Sequence, residues 1–85
     1  MTRYVSSRNP VSVRALKRKS LGTVVFHHNG IGRNWEDVKF TRVHGGWKRE
    51  RVDFVGLYPT IVSSTAVANE CNKASGYKEN WVSLH

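Results

Sequence analysis

Residues 35–55 read WEDVKFTRVHGGWKRERVDFV, an alternation of apolar and polar residues broken at Gly45-Gly46. Period two interrupted by glycine predicts a β-hairpin. Successive strand side chains point to opposite faces, and glycine reaches the positive-φ conformations of tight turns. Register then decides what the hairpin displays. A two-residue Gly45-Gly46 turn would set Phe40 against Arg51 and Arg42 against Arg49, the second a pair of like charges. A three-residue His44-Gly45-Gly46 loop pairs Val43 with Trp47, Lys39 with Arg51 and Val38 with Val52. That register gathers Val38, Phe40, Val52 and Phe54 as core, and gathers Lys39, Thr41, Val43, Trp47, Arg49 and Arg51 on a cationic face carrying an indole. It keeps Lys39 opposite Arg51 and leaves Arg42, Lys48 and Glu50 on the core side by the turn, so it is preferred only on balance.

Outward from the hairpin, residues 23–28 form a β-branched and aromatic run closed by Asn29-Gly30, a strand followed by a turn. Residues 77–84 alternate again and read as a last strand. Asn9-Pro10 offers a helix start and Gly22 a stop, so residues 10–21 are read as helix, with a strand as the rival reading. Val13 and Leu16 then face inward, and Arg14, Lys17 and Arg18 face out. After Ser63-Ser64, residues 65–74 read as a second helix whose inward stripe is Val67, Cys71 and Ala74. The fold class implied is a two-layer α+β domain: an antiparallel sheet of three to five strands with one or two helices packed on one face.

The chain has 85 residues and 9.7 kDa, enough for one domain over 1–85 and no second core, with residues 1–9 read as a flexible basic arm. Leu, Ile, Val and Phe make up 21 of the 85, enough to build that core. Cys71 is the single cysteine, which excludes an internal disulfide and the zinc patterns that need several, and the expected setting is reducing and cytoplasmic. No apolar run approaches the length of a membrane helix, so no membrane partner is expected.

Charge is the strongest functional signal. The net charge is +8, and residues 1–35 hold seven cations without one acid, while residues 36–85 hold seven cations and six acids. Such asymmetry is the footprint of a protein that contacts phosphates. Two patches are candidates for nucleic-acid binding. Lys39, Trp47, Arg49 and Arg51, joined by Lys48 at the hairpin end, combine a stacking plane with cations, the ingredients of single-strand recognition. Arg14, Lys17, Arg18 and Lys19 supply phosphate contacts without base reading. Arg33, among Gly30, Gly32 and Asn34, could reach a phosphate too, although the stretch lacks the endings of a P-loop or a dinucleotide fingerprint. The competing reading packs Trp47 over Val43 as a cross-strand pair and leaves the cations as a solvated face. Trp35 and Trp81 are read as core.

His27, His28 and His44 raise the questions of a metal site and of ribonuclease-type acid–base chemistry. Neighbouring strand residues point to opposite faces, so His27 and His28 do not share an ion easily, and at least one of the two is expected to be half buried with an ordinary hydrogen-bond partner. No catalytic residue, metal or cofactor is therefore assigned. The function expected is a noncatalytic module that binds nucleic acid, RNA or another single strand first. The alternative is a small protein inhibitor or adaptor, a virus-encoded one included, that docks on an acidic or nucleic-acid-binding surface of a larger enzyme, with nucleic acid as a bridge in one version.

Overall fold

The hairpin forms one residue away from the expected register. In the computed structural model, which describes residues 3–7, 12–31, 34–52, 59–73 and 77–84, β3 (Asn34–Val43) and β4 (Gly46–Arg51) close on a two-residue turn, His44-Gly45. Val43 pairs with Gly46, Arg42 with Trp47, Phe40 with Arg49 and Lys39 with Glu50. Gly45 takes φ +80°, the left-handed conformation such turns require. The shift also removes a charge conflict, since Lys39 now faces an acid instead of Arg51. Because side chains alternate, one residue of slip moves every β4 side chain to the other face.

Among the described residues six strands make one antiparallel sheet in the order β1-β6-β2-β3-β4-β5. Five of them have five residues or more: β1 (Arg3–Ser7), β2 (Val24–Ile31), β3, β4 and β6 (Tyr77–Leu84). The sixth, β5 (Thr60–Val62), is a three-residue edge. Both ends of the chain meet in the sheet, since β6 lies between β1 and β2, and Val82 stands opposite both Val5 and Val25. Residues 3–7 are thus a paired strand where a flexible arm was expected.

Both helices lie on one face, and the two-layer α+β arrangement follows from the sequence as expected. The first, α1 (Val13–Lys17), is shorter than the expected 10–21 and is capped by Ser12, whose Oγ accepts from the Ala15 amide at 3.3 Å. The second, α2 (Ser64–Lys73), starts where Ser63 Oγ accepts from the Ala66 amide at 3.1 Å. Leu16 from α1, Val67, Ala68 and Cys71 from α2, and Val25, Val38, Phe40 and Trp47 from the sheet form the buried core, with Val13, Val62 and Val82 packed against it.

Candidate nucleic-acid interface

Trp47 belongs to the core. It is fully buried, and its Nε1–H donates to Ser64 Oγ at 3.0 Å, which ties β4 to the start of α2. The expectation that it offers a stacking plane is overturned by the register. Val52, expected inside, is 54% exposed for the same reason. Phe54 and Arg33 lie outside the described residues, as does the side chain of Trp35.

The β4 arginines go with Trp47 to the helix-covered face. Arg49 Nε donates to both carboxylate oxygens of Glu70 in α2, at 2.9 and 3.2 Å, and so straps sheet to helix. Arg51 shares that face, opposite the buried Val38. Arg42 sits with its guanidinium 5.5 Å from the Trp47 ring centre and donates to the carbonyls of Gly46 at 3.0 Å and Lys17 at 3.4 Å. The second bond places a cation on the Lys17 carbonyl at the C-terminal end of α1, the negative end of the helix dipole. Lys48 moves to the opposite, open face, with Nζ 3.4 Å from Glu50 Oε1. The cationic hairpin face expected from sequence is therefore divided and largely matched by acids.

The other predicted patch is intact. Arg14, Lys17, Arg18 and Lys19 are all exposed, and no acid occurs anywhere in residues 12–31. Ser12, Arg14, Ala15, Arg18 and Lys19 line a shallow depression of about 540 Å³. The helix ends there because Arg18 and Lys19 turn their amides back to Ala15 and Leu16, each at 3.2 Å. The chain then passes through Leu21-Gly22 at the hairpin end of the sheet, where the Gly22 amide donates to Arg42 O at 2.9 Å and the Arg42 amide to Thr23 O at 2.8 Å. Gly22 has φ +88° with no atom within 4 Å of the position a Cβ would take, so the turn needs glycine for its backbone alone. These bonds anchor the cationic segment to the sheet.

No protein-family model, curated protein or solved structure matches this chain.

Sequence reasoning missed the open face of the sheet. Register puts Trp81, Phe26, Lys39 and Glu50 in one row across β6, β2, β3 and β4. Tyr4 of β1 reaches across β6, and its ring meets Phe26 edge-on with 5.5 Å between centroids and 63° between planes. Tyr4 and Trp81 are 39% and 37% exposed, so Trp81 is surface and not core. The available signals were the β-branched and aromatic run at residues 23–28 and the alternation of residues 77–84, but both phases of each strand carry large side chains, so they did not choose a face. The histidines behave as expected of strand neighbours. Buried His27 places Nδ1 2.7 Å from Asn80 Oδ1, and since that oxygen only accepts, Nδ1 carries the proton. His28 bonds through Nδ1 to its cross-strand neighbour Asp37 on the open face. His44 is exposed in the turn. Among the described residues no group of three or more His, Cys, Asp or Glu comes together to hold a metal, and no helix is long and apolar enough to cross a membrane.

Proposed function

We propose that this chain is a small noncatalytic nucleic-acid-binding module that grips the phosphate backbone through α1 and the Arg18-Lys19 turn. The observation that carries the reading is the run of four exposed cations at Arg14, Lys17, Arg18 and Lys19, anchored to the sheet, in a stretch without one acidic side chain. Coulomb attraction to phosphates falls off within a Debye length, so cations held together on one surface attract a polyanion far better than the same number scattered among acids. The lysine and arginines of β4 lend less to the reading, because Lys48 and Arg49 each already face a glutamate within 3.4 Å.

Salt and charge reversal test it. Affinity for a 20-nucleotide single strand is expected to weaken steeply as salt rises, with a slope of roughly 0.7 per phosphate neutralised. Replacing Arg14, Arg18 and Lys19 by Glu is expected to abolish that binding and leave thermal stability within about 0.5 kcal/mol of the parent, since the three side chains are exposed. Salt-independent affinity, or a charge-reversed variant that binds as before, would remove the reading.

A further inference from the structure

We infer that the open face of the sheet is a stacking platform for unpaired bases, with Trp81 and Phe26 as the contact planes and Tyr4 bracing Phe26. The inference rests on the phosphate-gripping reading above and narrows its ligand to single-stranded nucleic acid. Its basis is a juxtaposition. Three aromatic side chains from three neighbouring strands, β1, β6 and β2, share the face that neither helix covers. Trp81 and Phe26 stand directly opposite each other in register, and Lys39 is the next residue along the same row. Base–aromatic stacking tolerates any base, because every base has a π-face, and a neighbouring cation meets the backbone that links the stacked bases.

The platform begins a few residues after the cationic segment. Lys19 leads through Ser20, bonded to Thr23 by the Thr23 amide at 3.1 Å, into β2, whose third residue is Phe26. Val24 and Phe26 point to the same face two residues apart, about 7 Å at strand rise. A single strand can therefore lay phosphates against Arg18 and Lys19 at the end of the sheet and turn its bases onto Phe26 and Trp81. A duplex keeps its bases paired inside and offers the platform nothing to stack. Among its described side chains the open face also carries Asp37 and Glu50 beside Lys39 and Lys48, two acids against two lysines. Its attraction is for bases, and the attraction for phosphates comes from α1.

The experiment compares a 20-nucleotide oligouridine with a 20-base-pair duplex, by fluorescence anisotropy at one fixed salt concentration, on the full chain. The parent is expected to bind the single strand more tightly, and binding is expected to quench indole emission. Trp81→Leu, which keeps an apolar side chain and removes the π-face, is expected to weaken single-strand binding about fivefold or more and to leave duplex binding within about twofold. Trp81→Phe is expected to restore most of the loss, which a merely structural role for Trp81 would not produce selectively. Equal single-strand affinity in Trp81→Leu and the parent would overturn the platform, as would equal losses on single strand and duplex, or a parent that prefers the duplex. An uncharged peptide-nucleic-acid decamer separates the two proposals, because it offers bases without phosphates. If Glu substitutions at Arg14, Arg18 and Lys19 fail to weaken the oligouridine while the decamer still quenches the parent, the phosphate grip is wrong and the platform stands. If the decamer fails to quench while those substitutions still abolish oligouridine binding, the platform is wrong and the grip stands.

Discussion

The two faces of this sheet carry the same kinds of residue and set them in opposite surroundings. On the covered face Trp47 is fully buried, Arg42 lies over its ring, and Arg49 reaches Glu70, so indole and guanidinium groups are spent on joining layers. On the open face Trp81, Phe26 and Tyr4 remain partly in contact with solvent, and the cations beside them are lysines. Composition alone does not assign either role. What assigns it is register: a two-residue turn at His44-Gly45 in place of a three-residue loop sends Trp47, Arg49 and Arg51 under the helices. An aromatic residue beside basic ones reads as a binding surface in sequence, and in this hairpin it is the mortar between sheet and helix.

The largest effect that can break this contrast comes from the tryptophans. Trp47→Ala removes a buried indole and orphans Ser64, and it is expected to destabilise the fold by about 3–5 kcal/mol in denaturant unfolding. Trp81→Ala, at a position 37% exposed, is expected to cost about 1 kcal/mol or less. The reverse order would mean that the two faces are exchanged and would restore the cationic hairpin surface around Trp47.

The adjacent glycines probe register directly, with a smaller effect. A Cβ on Gly46 would stand 2.5 Å from the Val62 carbonyl oxygen, so Gly46→Ala must push β5 away from β4. Its expected cost is about 1–3 kcal/mol, with loss of amide-exchange protection in β5. Gly45 has open space around it but φ +80°, so Gly45→Ala is expected to cost about 1–2 kcal/mol from backbone strain, and Gly45→Asn less. In a three-residue loop Gly46 would lie outside the sheet and its alanine variant would leave β5 untouched.

Why part of this was legible in the sequence and part was not has a physical account. The layers were legible because α2 shows its Val67 and Cys71 stripe, because residues 35–55 and 77–84 alternate as strands do, and because residues 23–28 are a β-branched and aromatic run. Leu16 and Val13 also turned inward as their spacing implied. The helix start was misplaced because Asn9-Pro10 and Ser12 are both good caps, and local chemistry alone does not rank them. The strand at residues 3–7 was hidden because its stability comes from pairing with β6, a partner more than seventy residues away. The hairpin register failed for a related reason. Adjacent glycines allow the turn to close in several frames, and the contacts that decide among them, Trp47 with Ser64 and Arg49 with Glu70, come from α2. Of the site, the Arg14 to Lys19 patch was legible because a run of cations without acids stays exposed whatever the register. The aromatic face was not, since it depends on which phase of β2 and β6 the helices cover.

The smallest effect sharpens the comparison most, because it asks whether a cation on the covered face has any part in binding. Arg49 and Glu70 are each about one-third exposed, and ion pairs of that kind contribute little to stability. A double-mutant cycle of Arg49→Ala and Glu70→Ala is expected to give a coupling of about 0.2–1 kcal/mol in unfolding. Neither single variant is expected to change affinity for a single strand or the slope of that affinity with salt. An arginine that touched phosphate would behave differently: Arg49→Ala would lower the salt slope by roughly 0.7, and Glu70→Ala, by freeing a cation, would tighten binding. Unchanged slopes together with a small coupling identify Arg49 as a strap between layers and leave the backbone grip to α1. A lowered slope would extend the interface around the edge of the sheet, and the division between a structural face and a binding face would fail at that residue.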